Sequence, residues 1–190
     1  MNQENHQNDE EISSLLLDCA TLWKEGEDGE QRLYESLRSI AEEAPEQELV
    51  ALVGNENSER TEAEIKAIFR AAVYGEFSLL FGNIFSSEDA EEAKECANRA
   101  FRSLLEEKHE FNGFLPKGIL IDTPLALLSE IPKQSFDFFC VNTQKIAALL
   151  LGATQSSSGA LSQKAREIVQ KYSPKRVLLY EIDAKALYKK

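Results

Sequence analysis

Short, mostly apolar runs alternate with amphipathic segments along most of the chain. The segment at 12–17 fits a strand or a short helix, and the runs typical of buried strands lie at 49–53, 77–84, 118–121, 136–141 and 176–182. Between the runs, apolar residues recur every three or four positions, as on the buried face of a helix. This alternation predicts a parallel sheet covered by helices, either a barrel or an open doubly wound sheet, and periodicity does not choose between them.

Capping signals predict where two of the helices begin. Thr61 to Glu64 and Ser86 to Asp89 both have the spacing of a capping box, in which two side chains bond each other's backbone. We expect the first to open a helix that runs to about Val73, and the second to open a longer helix that runs to about Lys108.

The length of the chain, its net charge and its apolar runs limit the classes of function that it can have. The chain has 190 residues and a net charge of -12, which fits one domain and opposes binding to nucleic acid. Residues 1–10 are polar and acidic, so we expect a disordered lead without a signal peptide. No apolar run approaches the ~20 residues that a membrane span needs. These features predict a cytoplasmic protein that binds neither nucleic acid nor membranes.

Cysteine and histidine usage excludes several kinds of site. Cys19, Cys96 and Cys140 are odd in number and widely spaced, which predicts buried free thiols rather than disulfides or a zinc site. The two histidines, His6 and His109, lie in the acidic lead and at the end of a charged helix, so histidine-based catalysis is not expected. Phosphate-binding and nucleophile-elbow motifs are absent from the sequence.

Candidate chemistry lies at the carboxyl ends of the predicted strands, where parallel α/β folds hold their sites. The residues there are mainly carboxylates and amides with one lysine: Asp18, Asn55, Asn83, Asp122, Asn142, Gln144, Lys145 and Glu181. None is arginine, whose planar fork matches phosphates and carboxylates. Structural roles stay open beside binding roles: Asp122 as a cap or as the ion-pair partner of Lys145, and Asn83 and Asn142 as turn formers.

Three segments, in order and in register, carry a likeness to one family. Residues 65–75, 118–124 and 136–146 read IKAIFRAAVYG, GILIDTP and FDFFCVNTQKI, where the family has QLRAILRASAYG, GIMIETP and VDFFSIGTNDL. The chain thus resembles the phosphoenolpyruvate-binding barrel domain of enzyme I of the sugar phosphotransferase system. The resemblance implies a TIM-barrel-like parallel sheet with surrounding helices. With no counterpart of barrel strands three and eight, we expect an incomplete barrel of about six strands, a single degenerate domain over 11–190.

The resemblance also implies which residues of this chain stand at the positions of the family's metal-binding and phosphate-binding residues. The family moves the phosphoryl group of phosphoenolpyruvate to a histidine on another domain with the help of magnesium. Its magnesium-binding glutamate of "ETP" falls at Asp122, and its second metal ligand, the aspartate of "TND", falls at Lys145. Three of its arginines fall at Asp18, near Leu52 and at Gln155, and a fourth has no counterpart in this chain. Its proton-donating cysteine falls near residues 179–180.

This pattern predicts a catalytically degenerate relative. Each lost charged contact is worth about 1.5–3 kcal/mol, so we expect no catalytic residue, no cofactor beyond a vestigial magnesium site at Asp122, and a non-catalytic binding or regulatory role. Its ligand is then a protein partner, a second copy or a small oxoacid, held by Asn83, Asn142, Gln144 and Lys145. The alternative is a divergent enzyme acting on phosphoenolpyruvate, pyruvate or another oxoacid, of phosphotransferase type or of lyase type with a lysine nucleophile.

Overall fold

Six parallel strands form the framework of the protein. The computed structural model describes residues 14–23, 26, 28–54, 57–124, 126, 135–142, 145–146, 149 and 177–180. In this part of the chain the strands are β1 (Ser14–Asp18), β2 (Glu48–Val53), β3 (Phe77–Phe81), β4 (Lys117–Ile121), β5 (Phe138–Asn142) and β6 (Val177–Tyr180). Their order in the sheet is their order along the chain, and every neighbouring pair is parallel.

This strand order decides between the two sheets that periodicity left open. A doubly wound sheet reverses its strand order at a switch point, whereas a (β/α) barrel adds each strand beside the last. Here the order never reverses, so the sheet is barrel-like, as the resemblance implied. Among the described residues no pairing joins β6 to β1, and the sheet has six strands where a complete barrel has eight.

Helices cover the outer face of the sheet. Within residues 14–122 they are α1 (Cys19–Leu22), α2 (Gly29–Glu43), α3 (Ser58–Ala71) and α4 (Ser87–Glu107). The helix α3 packs between α2 and α4, and buried side chains such as Leu37, Ile68 and Phe69 fill the layer between helices and strands. A smaller cluster on the other face of the sheet contains Phe138 and Cys140.

The two predicted capping boxes have different outcomes. At Ser86 the prediction is confirmed, because its Oγ accepts the backbone N–H of Asp89 and the Asp89 carboxylate accepts the backbone N–H of Ser86. At Thr61 it is wrong. The helix α3 begins one turn earlier, where Asn57 Oδ1 accepts the backbone N–H of Arg60 at 3.1 Å. Thr61 instead donates from Oγ1 to the carbonyl of Gly54 at 2.9 Å, which ties the first turn of α3 to the end of β2.

Two further predictions can be compared with the structure. All three cysteines are free and buried, as their spacing predicted. None of the helices in the described ranges is both long and apolar enough to cross a bilayer. The predictions for residues 1–10 and for Asn55, Gln144, Gln155 and Glu181 lie outside the described residues.

Candidate functional site

A cavity of about 360 Å³ opens at the carboxyl ends of β1 to β4. We call it the mouth cavity. The strands end nearly level, since Asp18 pairs with Leu52 and Val53 pairs with Phe81. Polar groups line it from the strand ends and from the cap and first two turns of α3, among them Asp18, Asn57, Arg60, Glu64, Asn83 and Asp122. This end of the sheet is where barrel folds hold their ligands, and the volume suits a small molecule.

One wall of the mouth cavity carries an ion pair between two predicted site residues. The ammonium of Lys145 contacts Oδ2 of Asp122. The carboxylate is 17% exposed and the lysine side chain is 52% exposed. The side chain of Asn142, the last residue of β5, accepts the backbone N–H of Lys145 at 2.9 Å and so holds the lysine backbone beside the end of the strand. The ends of neighbouring strands therefore place Lys145 on Asp122, the ion pair that the sequence left open as an alternative.

A second ion pair, between Arg60 and Glu64, was missed from sequence. The strand ends carry no arginine, as predicted, but the first turn of α3 brings Arg60 into the wall of the cavity. Arg60 Nε donates to Glu64 Oε1 at 2.9 Å, and the guanidinium lies 5.2 Å from the ring centre of Trp23. Asn57 could have revealed this pair from the sequence, because asparagine caps a helix as well as threonine does. A helix that begins after Asn57 has Arg60 in its first turn, next to the carboxyl ends of the strands.

The carboxylate of Glu64 is almost fully buried. Its side chain is 3% exposed. Burial raises the pKa of Glu64, and the nearby Asp18 carboxylate adds to the shift, while Arg60 and the Gly54 backbone N–H oppose it. The mouth cavity therefore holds a carboxylate whose charge depends on its arginine partner.

Asp18 acts as the cap of α1. One carboxylate oxygen accepts the backbone N–H of Ala20 at 3.0 Å, and the other accepts the hydroxyl of Thr21 at 2.9 Å. The following residue, Cys19, is buried, and burial together with the Glu64 and Asp18 carboxylates raises the pKa of its thiol. The position at which the resemblance places a phosphate-binding arginine of the family is thus occupied by an acidic helix cap, and the correspondence itself stays a prediction.

Asn83 lines the mouth cavity beside the end of β3. Its backbone has a φ of 56°, in the left-handed region that asparagine tolerates better than most residues. This conformation fits the turn-forming alternative. The side chain lies in the cavity wall, and the binding role stays a prediction. Of the predicted site residues, Asn83 and Asp122 line the cavity, while Lys145 and Asn142 join it through Asp122.

The residues present fit a magnesium ion poorly. Magnesium takes oxygen ligands in a near-octahedral arrangement and is usually bound through one or two carboxylates. Among the described residues, no group of three or more histidine, cysteine, aspartate or glutamate side chains is arranged to hold a metal. The Asp122 carboxylate already binds an ammonium group, which would have to be displaced.

Thiol chemistry is also disfavoured near this end of the sheet. Cys140 lies on β5 and is buried. Burial, with a further contribution from the Asp122 carboxylate, raises the pKa of Cys140 to about 12. Because the thiolate is the nucleophilic form of cysteine, this side chain is inert near neutral pH.

Comparison with known proteins gives one family and one fold. A family model described as the PEP-binding domain of PEP-utilising enzymes matches residues 51–181. A phosphoenolpyruvate-protein phosphotransferase of Staphylococcus epidermidis is 25% identical over 112 residues, which are 58% of this chain and 19% of that protein. The Haemophilus influenzae phosphotransferase is 25% identical over 96 residues, 50% of this chain and 17% of the relative. The chain thus matches less than a fifth of the length of these relatives.

A solved structure supports the fold independently. A citrate lyase from Burkholderia xenovorans superposes with a TM-score of 0.53 at 16% identity, over 87% of this chain and 55% of that one. At this level of identity the likeness concerns the fold alone.

Proposed function

This chain belongs to the family of PEP-utilising enzymes through its PEP-binding domain, and we propose that it is a non-catalytic member whose mouth cavity binds a different ligand. The observation that carries the proposal is the ion pair between Lys145 and Asp122. In the family pattern these two positions are the paired carboxylates that hold magnesium. A cation at one of them removes a ligand and competes with the metal for the other.

The second ion pair supports the same proposal. Phosphoenolpyruvate is a trianion near neutral pH, and its binding needs cations that are free to contact it. Arg60 brings one guanidinium into the mouth cavity, but its Nε–H is bonded to Glu64. An anion that approached this guanidinium would also meet the carboxylates of Asp18 and Glu64, which line the same cavity.

A lyase or aldolase reaction at Lys145 is less well supported. A lysine nucleophile has to be a free amine, usually in an apolar pocket or beside another cation. Here Nζ contacts a carboxylate on a half-exposed side chain, an arrangement that suits an ammonium group. The citrate lyase likeness adds no support for this reaction, since it concerns the fold.

Compartment and partners follow from the overall charge and the thiols. The buried free cysteines fit a reducing cytoplasm. A net charge of -12 opposes nucleic acid and anionic membrane surfaces as partners. A small molecule in the mouth cavity, a protein or a second copy remains the proposed partner.

A reconstituted turnover assay tests the proposal. The chain is mixed with an isolated histidine-bearing domain of a phosphotransferase relative, phosphoenolpyruvate and magnesium, and pyruvate formation is followed. The barrel domain of the same relative serves as the positive control. We expect no pyruvate above the background without this chain. Magnesium-dependent pyruvate formation that is lost on mutating Asp122 to Ala would contradict the proposal.

A further inference from the structure

Among the described residues, more carboxylates than cations surround the mouth cavity. Three carboxylates, those of Asp18, Glu64 and Asp122, line it. Two cations face them, Arg60 bound to Glu64 and Lys145 bound to Asp122. Once both ion pairs are counted, the carboxylate of Asp18 has no cationic partner in the described part of the cavity, where carboxylates outnumber cations by three to two.

The Asp18 carboxylate also retains capacity for hydrogen bonds. A carboxylate offers about four acceptor positions. Asp18 uses one on the backbone N–H of Ala20 and one on the hydroxyl of Thr21. Asn57, on the same side of the cavity, has a side-chain oxygen that accepts one N–H from Arg60. This side of the cavity therefore favours a ligand that donates hydrogen bonds and carries positive charge.

The floor of the cavity is apolar. Leu52 and Val53 from β2 and Leu120 from β4 line it, and Leu52 and Leu120 are partly exposed. Such a floor gains by contact with the aliphatic part of a ligand, at about 0.8 kcal/mol for each CH₂ group that is fully buried. The cavity thus combines an acceptor-rich, negatively charged side with an aliphatic surface.

We infer that the mouth cavity takes a small aliphatic amine, with the ammonium group at the Asp18 carboxylate and the hydrocarbon part against Leu52 and Leu120. This inference rests on the proposed function, since it assigns a ligand class to the cavity that no longer takes phosphoenolpyruvate. An anion of the same size is rejected by the excess carboxylate, and a neutral alcohol of the same size lacks the charge-assisted bond.

Three probes of equal length test the inference: n-butylamine, n-butanol and n-butyrate. Each is titrated into the isotope-labelled full chain at physiological salt, and amide signals of Gly54, Gly82 and Asn83 report on the mouth cavity. We expect saturable shifts with the amine. The alcohol should bind at least about tenfold more weakly than the amine, and the carboxylate should not bind.

Two variants localise the effect. Asp18→Asn keeps a good helix cap but removes the charge, and it should weaken binding of the amine by about tenfold to a hundredfold. Glu46→Gln removes one exposed charge from the turn before β2, at the opposite end of the sheet, and should leave the affinity unchanged. Equal binding of amine and alcohol, no shift at the mouth with the amine, or equal loss in both variants would each overturn the inference.

Phosphoenolpyruvate with magnesium is titrated in the same series. Shifts at the mouth with this ligand contradict the proposed function, whatever the amine does. If phosphoenolpyruvate gives no shift and the amine gives none either, the proposed function stands and only the amine inference fails.

Discussion

Replacing Lys145 by aspartate should create a magnesium site. In the structure the lysine ammonium contacts the Asp122 carboxylate, which follows β4. The Lys145→Asp variant places two carboxylates at this point instead of an ion pair. Two carboxylates with bound water are a common way for proteins to hold magnesium, so the variant should bind the ion much more tightly than the wild type.

The size of the effect follows from charge and exposure. Lys145 is 52% exposed, so a water-like dielectric is the appropriate choice for its interactions. Unit charges about 4 Å apart then interact by about 1 kcal/mol, a divalent ion doubles this value, and reversing the sign of the side chain doubles it again. The total of about 4 kcal/mol corresponds to about a thousandfold in affinity for magnesium.

Titration calorimetry with magnesium measures the change, with two control variants. Lys145→Met removes the cation without adding a carboxylate, so it should give about half the free energy, or roughly thirtyfold. Arg102→Asp makes the same change of charge at a remote and largely exposed position on α4, and it should leave magnesium affinity nearly unchanged. If Lys145→Asp binds magnesium no more tightly than the wild type or Arg102→Asp, the charge of Lys145 does not control magnesium binding at Asp122.

Three further variants or reactions test the packing and the buried groups. Because burial raises the pKa of Glu64 in the folded protein, the wild type should lose stability relative to Glu64→Gln as the pH rises above the usual glutamate pKa of about 4.3. A difference in melting temperature between the two proteins that does not change with pH would contradict this. Gly118→Ala should cost about 1–3 kcal/mol in urea unfolding, since its Cβ would lie 2.5 Å from the ring of Phe138. Gly54→Ala, with no atom within 4 Å of its Cβ, is the matched control and should cost much less. With a pKa of about 12, Cys140 should react with iodoacetamide at least about a hundredfold faster in the unfolded chain than in the native protein.

The sheet could be predicted because its strands are buried on both faces. Runs such as 49–53 and 118–121 have few polar residues, and no helix of ordinary length fits them. What periodicity could not supply was the order of the strands, because the same alternation builds barrels and doubly wound sheets. That choice came from the resemblance, and the uninterrupted strand order bears it out.

The sequence could predict the part of the candidate site that lies at strand ends, but not the part that lies on a helix. Asp122 and Lys145 follow consecutive strands, and neighbouring parallel strands end side by side, so their contact could be foreseen. Arg60 could not be found by reading strand ends, because it reaches the cavity from a helix. The helix start was misplaced because Asn57 and Thr61 both offer a capping oxygen, and the bond from Thr61 to the Gly54 carbonyl, which decides between them, is a tertiary contact.

The most direct test of the central claim is a thermal-shift titration of the purified chain with phosphoenolpyruvate, pyruvate and oxalate, each with and without magnesium. A ligand that binds only the folded state raises the melting temperature by mass action. We expect no magnesium-dependent rise at millimolar concentrations of any of the three ligands. A clear rise that requires magnesium would mean that the family's site persists despite Lys145, and the chain would then not be a non-catalytic member of the family.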